Sequence, residues 1–219
     1  MNELKILNDL RQKLNSLFKE ENTGHDISHL ERVLANALEI QKKEGGDLYV
    51  IAVSALVHDI HRLMSIRFNR YVTPEESLDE VKQILLDCNV DLDKLDAILN
   101  VVKNHDNKDN KNYSFETLLI QDADALDAIG EIGLERTLKY CKTNNIPVSS
   151  ELPLDCSEYI PDINPISTCH YIHRTMIPNA YNLYTETAKQ IAKDKIKILQ
   201  DFVNNNHKNE SANTPSNIS

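Results

Sequence analysis

Apolar residues recur along most of this chain at intervals of three and four. Leu4, Leu7, Leu10, Leu14, Leu17 and Phe18 form one such series, and Leu30, Val33, Leu34, Ala37 and Leu38 form a second. That period predicts amphipathic helices. Gly45 and Gly46 end the second helix, and Asp47 is placed to cap a third. Residues 48–58 are apolar on nearly every face, as in a helix buried all round. "TPEES" at 73–77 is a helix start, with Thr73 as cap, Pro74 at the first helical position and Glu76 closing a capping box. Leu78, Val81, Ile84 and Leu85 follow as one stripe. Asp91 opens the next helix, carrying Leu92, Leu95, Ile98, Leu99 and Val102. Ser114 caps another with Leu118, Leu119, Ala123 and Leu126. A last long helix buries Ala188, Ile191, Ala192, Leu199, Phe202 and Val203. No segment alternates with the period of two that a strand requires, so the pattern predicts an all-α fold.

Two stretches break the pattern. Residues 144–168 hold Pro147, Pro153, Pro161 and Pro165 and show little periodicity. Long irregular loops inside a domain are often functional. Glu151, Asp155, Glu158 and Asp162 make this one acidic, which argues against its clamping phosphate directly. The terminal "NNNHKNESANTPSNIS" has no core-forming residues and is expected to be a disordered tail over 204–219. The expected organisation is a single domain over 1–203, with its chemical motifs between 25 and 203.

Composition narrows the functions. The 219 residues carry a formal charge of −10, with a pI near 5.3. A broad nucleic-acid surface or an anionic membrane partner is therefore not expected. A small anionic substrate stays open, because local positive charge and a metal can outweigh the overall sign. Cys88, Cys141, Cys156 and Cys169 form no CxxC pair and read as reduced structural thiols of a cytoplasmic protein. No apolar run approaches the roughly 20 residues of a membrane span, and "MNELKILNDL" is charged and periodic, unlike a signal peptide. The oligomeric state is left open, a homo-oligomer included.

The chemistry gathers where polar residues interrupt apolar helices. "SALVHDIHRL" runs a buried segment straight into His58, Asp59 and His61. Burying such groups is costly unless they are paired or bind metal. "GHDISHLERV" places His25 and His29 on one helix face. "QDADALDAIG" sets Asp122, Asp124 and Asp127 in an otherwise apolar helix, and "VKNHDNK" adds Lys103, His105, Asp106 and Lys108 at a helix end. Imidazole nitrogen with carboxylate oxygen suits a borderline divalent metal. Adjacent helical residues point about 100° apart, so His58 and Asp59 can share an ion only if other helices complete its shell. His29 and Asp124 are the natural candidates.

In that order, His29, His58-Asp59 and Asp124 resemble the signature of the HD-domain superfamily of metal-dependent phosphohydrolases, in particular its single-domain bacterial hydrolases. "HDISHLERV", "ALVHDI", "DADALDAIG" and the late "TCHYIHRTMIPNAYNLYTETAKQIA" carry the resemblance from about His25 to Val203. It implies a helical bundle around a divalent metal (Mn, Co, Ni, Fe, Zn or Mg) held by His29, His58, Asp59 and Asp124. It implies hydrolysis of a phosphate ester or anhydride in a nucleotide or similar small phosphorylated metabolite. Many relatives that act on nucleotides have an acidic residue three positions after the Asp of HD, and this chain has Arg62 there. Asp59 remains a catalytic candidate, with Asp122 and His105 as substitutes for the missing acid and His61 a third.

Arg62, Lys103, His170 and Arg174 are candidates for holding the substrate. Each candidate also has a plainer reading. His25 is a cap or loop residue as readily as a site residue, and His61 faces solvent as readily as the site. His105 could pair with a helix dipole. Arg32 is either a surface residue or a support for His29. His170, His173 and Arg174 could cap the final helices. Asp122 and Asp127 are turned off the face of Asp124. Two other functions fit the same residues: a non-catalytic metal- and nucleotide-binding sensor, which Arg62 favours, and a di-iron HD-type oxygenase using His61 and His105 as further ligands.

Overall fold

The computed structural model describes residues 2–20, 26–107, 112–161 and 163–207. His25, Lys108, Asp162 and residues 208–219 of the expected tail lie outside the described residues. Every regular element among those described is helical, and one isolated bridge pairs Ile160 with Asn164. The all-α expectation holds.

The contacts divide the chain into two compact units, residues 1–127 with 183–188 and residues 128–182 with 189–219. The apolar stripes carry no sign of this division, because each helix shows only that one face is buried. In the first unit, α1 (Asn2–Leu17), α2 (Ile27–Glu44), α3 (Leu48–Val57), α4 (Ile60–Phe68), α5 (Leu78–Asp87), α6 (Leu92–Asn104) and α7 (Phe115–Asp127) enclose one core. α2 packs against α3 and α7, and α3 packs against α6. Leu10, Leu14, Leu30, Ile51, Leu56, Ile98, Leu119 and Leu126 are fully buried between them.

The caps form as the side chains dictate. Asp47 accepts from Tyr49 N and Val50 N at the head of α3, and Asp91 accepts from Asp93 N at the head of α6. Thr73 and Glu76 exchange reciprocal bonds, Thr73 N to Glu76 Oε2 and Glu76 N to Thr73 Oγ1. That box opens a short 3-10 turn, Glu75–Ser77, before α5 begins. Leu4 departs from its stripe and is 73% exposed.

α3 is the most buried element: every residue from Val50 to Val57 is inside. Taken together, Leu48–Phe68 is long and apolar enough for a membrane span, although the sequence shows no unbroken apolar run of about 20 residues. In this fold 67% of that apolar window is buried within the protein. The segment also breaks at His58-Asp59, where Asp59 leaves helical geometry at φ −96° and ψ 15°. The buried helix expected over 48–58 ends at Val57, and a second helix starts at Ile60, so the two meet at the HD dipeptide.

The second unit contains α8 (Gly130–Thr143), the proline-rich stretch, α9 (Thr168–Tyr171), a π-helical turn over Ile172–Met176, α10 (Ile177–Ala180) and most of α11 (Glu186–Asn206). A Cβ at Gly133 would stand 2.1 Å from the Ala128 carbonyl oxygen, so only glycine fits there. The irregular stretch is anchored rather than loose. Thr168 N donates to Pro147 O and Cys169 N to Val148 O, and Tyr159 within the stretch is buried. α11 runs through residues 204–206, and His207 after it is buried, so the start of the expected tail belongs to the fold.

Candidate metal centre

Three sequence-distant elements of the first unit bring the HD residues together. Asp26 caps α2 by accepting from His29 N at 3.0 Å, which places His29 in the first turn. The break between α3 and α4 supplies His58 and Asp59. α7 supplies Asp124, whose side chain is 36% exposed. His29 Nε2 lies 3.3 Å from His58 Nε2, 3.3 Å from Asp59 Oδ2 and 3.5 Å from Asp124 Oδ1. Donors bound at about 2.1 Å around one ion stand roughly 3.0–3.5 Å apart, so these separations suit a shared cation.

The far side of each ring fixes its orientation. His58 Nδ1 donates to the Ala55 carbonyl at 2.8 Å, leaving Nε2 as the inward lone pair. His29 Nδ1 donates to Asp127 Oδ2 at 2.7 Å. Arg32 grips that same carboxylate, with Nε 2.6 Å from Oδ1 and Nη2 3.0 Å from Oδ2. Outer-shell carboxylates of this kind orient metal-binding imidazoles and raise their basicity.

Charge follows geometry. Burial alone would push His29 down, but hydrogen bonds with Asp127 and Asp59 and the charge of Asp124 lift it to about 9. Burial pushes His58 down to about 4 and His61 likewise to about 4. Asp127 is held well below the usual carboxylate range: burial would raise it, but His29 and Arg32 outweigh that. Two lone-pair nitrogens and two carboxylates converging in a buried place need a proton or a cation among them. The donor set fits a divalent metal.

The remaining candidates separate. His105 is buried beside the cluster, its Nε2 3.7 Å from Asp59 Oδ1. His61 does not face solvent; it is fully buried, with Nδ1 3.8 Å from the same oxygen. Arg62 Nε stands 3.5 Å from Asp59 Oδ1. Asp122, a catalytic candidate from the sequence, is placed apart from these contacts: it accepts from Tyr184 N, Thr185 N and Thr185 Oγ1 at 2.7–3.2 Å and so caps the 184–185 segment.

Lys103 is paired with Glu75 at 2.6 Å and lines a cavity of about 260 Å³ with Tyr71, Thr73, Asp106 and Asn107. His170 and Arg174 belong to the second unit, whereas the cluster is built wholly within the first. His170, a substrate-binding candidate from the sequence, is fully buried with both ring nitrogens engaged, by Ser167 Oγ and Pro153 O. Arg174 donates to Cys156 O and lies over the Tyr159 ring. Asp127 is the residue underrated from the sequence. Its signal was spacing, since Arg32 follows His29 by three and Asp127 follows Asp124 by three.

The HD domain family model matches residues 26–129, the stretch that supplies every member of this cluster. The chain carries an HD domain. It is 28% identical over 209 residues to the uncharacterized protein YpgQ of Bacillus subtilis strain 168, covering 93% of each chain. The crystal structure of Bacillus subtilis YpgQ in complex with ADP has a TM-score of 0.74 at 22% identity, covering 94% of this chain and 95% of that one. A predicted HD-superfamily hydrolase from an uncultured Thermotogales bacterium has a TM-score of 0.59 at 25% identity, covering 91% and 88%. The chain thus shares the fold of these proteins.

Proposed function

We propose that this HD protein is a metal-dependent phosphohydrolase, cleaving a phosphate ester or anhydride of a nucleotide or similar small metabolite. The observation that carries the reading is the convergence of His29 Nε2 on His58, Asp59 and Asp124 at 3.3–3.5 Å. His29, His58, Asp59 and Asp124 would hold the ion. When bound, a divalent cation supplies Lewis acidity, polarising a phosphoryl oxygen and acidifying water.

The protein's own residues do the rest. Asp127 and Arg32 hold His29 in its orientation. His105, with Nδ1 donating to Val102 O at 2.7 Å, keeps Nε2 toward the cluster, where it can take or give a proton. Arg62, part-exposed beside Asp59, offers planar bidentate donors for phosphate oxygens, whose developing charge is stabilised chiefly by electrostatics. Lys103 adds positive charge once released from Glu75. The ADP held by YpgQ supports a nucleotide as the substrate class. The charge of −10 supports a small substrate in the cytoplasm over a nucleic-acid polymer or a membrane.

Initial rates with Mn²⁺, Co²⁺, Ni²⁺ and Mg²⁺ across nucleotides and sugar phosphates test the reading. The expected outcome is metal-dependent release of phosphate or diphosphate, at least about a hundredfold above His58→Ala. Full metal content with no release across that panel would remove the phosphohydrolase assignment.

A further inference from the structure

Gln121 stands on α7 three positions before Asp124, so the two side chains leave neighbouring points of one helix surface. It is buried, with 4% of its surface exposed. Its Nε2 donates to two carbonyls, Asn104 O and Asn107 O, each at 2.8 Å. Both amide hydrogens are thus spent on the backbone that ends α6. That backbone is a tight turn. Asn107 N donates to Asn104 O at 3.2 Å, and His105 has φ −62° and ψ −29°, the values of the second residue of a type I turn. One carboxamide therefore clasps both ends of the turn that carries His105. We propose that Gln121 is a positioning residue, whose clasp on the 104–107 turn sets where His105 Nε2 stands relative to the Asp59 carboxylate.

The chemistry of the side chain supports this. Gln121 Oε1 is buried and has no hydrogen-bond partner among the described residues, and burying an acceptor unpaired is costly. A methionine would fill similar space without that penalty, so what the carboxamide contributes is its pair of donor bonds. The last carbonyls of a helix have no partner within it. Asn104 is the last residue of α6, and its carbonyl takes one bond from the turn and one from α7.

His105 depends on that backbone for its place. Its Nδ1 donates to Val102 O at 2.7 Å, a bond within its own helix, so the ring travels with the turn. Its Nε2 stands 3.7 Å from Asp59 Oδ1. α7 brings Asp124 to the centre and, through Gln121, holds the turn that brings His105, so one helix registers both groups. Proton transfer needs close and aligned partners, and small displacements at such a site are expensive in rate. This role of Gln121 rests on the reading of His105 as the group that gives or takes a proton there.

Gln121→Met keeps the bulk and removes both donors. In the full chain with ¹⁵N-labelled imidazoles, this variant is expected to shift or split the His105 ring resonances while those of His29 and His58 hold. Its Co²⁺ affinity is expected to equal that of wild type. With a substrate that turns over, kcat is expected to fall roughly tenfold or more. Adding Gln121→Met to His105→Ala is expected to bring no further fall, since both remove the same placed imidazole. Unchanged His105 resonances, or losses that add in the double variant, would overturn the proposal. So would wild-type turnover in His105→Ala, which leaves the clasp nothing catalytic to position. If no phosphate substrate turns over, the phosphohydrolase reading fails, whereas shifted His105 resonances still support the clasp and unchanged ones still overturn it. Should Gln121→Met fail to fold, the two side-chain amide protons of Gln121 in wild type decide. Slow solvent exchange of both supports the clasp, and exchange at the rate of an exposed amide overturns it.

Discussion

His58 in the first unit and His170 in the second are both fully buried. Their surroundings differ in what remains unpaired. His170 meets Ser167 Oγ at 2.8 Å through Nδ1 and Pro153 O at 3.1 Å through Nε2, and its ring stacks on Tyr159. Both of its ring nitrogens are engaged. His58 uses Nδ1 on the Ala55 carbonyl, and its Nε2 points at another imidazole and a carboxylate. Burial of a histidine thus says little about chemistry. What counts is which nitrogen is left over, and whether carboxylates converge on it.

The widest separation should come from truncating each ring. His58→Ala is expected to abolish metal retention while leaving the fold intact, because α3 and α6 are packed by apolar faces that do not use the imidazole. His170→Ala is expected to retain full metal content but lose about 1–3 kcal/mol of stability, since the Pro153 carbonyl and the Ser167 hydroxyl lose their buried partner. Elemental analysis and denaturant melts on both variants check this. Equal metal loss in the two would erase the contrast.

A smaller effect sharpens the same point one residue further out. Asp127→Asn keeps the shape but removes the charge that orients His29, and metal affinity should fall roughly 10- to 100-fold. Titration with Co²⁺ followed by its absorption spectrum reads this directly, and unchanged affinity would show that His29 needs no support.

The smallest effect belongs to Asp122. Its carboxylate caps the 184–185 segment, so Asp122→Ala should cost about 1–2 kcal/mol with metal content unchanged. A thermal melt beside elemental analysis separates that role from a catalytic one, because loss of metal or turnover in a stably folded variant would restore the catalytic reading.

The helices were legible because their cause is local. An apolar stripe at 3.6-residue spacing, with Asp47, Thr73 or Asp91 at its head, specifies a helix whatever it packs against. The ordered motifs around His29, His58, Asp59 and Asp124 were also legible, since residue type and order survive without coordinates. Other features depend on distance through space. Asp127 lies 98 positions from His29 and forms its closest carboxylate contact, whereas Asp122, the same residue type on the same helix, turns to Tyr184 and Thr185. Only the rotation of α7 against α2 chooses between them. The break at Asp59, at φ −96° and ψ 15°, is likewise not marked by any helix-breaking residue in "VHDIHRL". Helix formation is decided within a few residues, while the partner of a buried charge is decided by which helices meet.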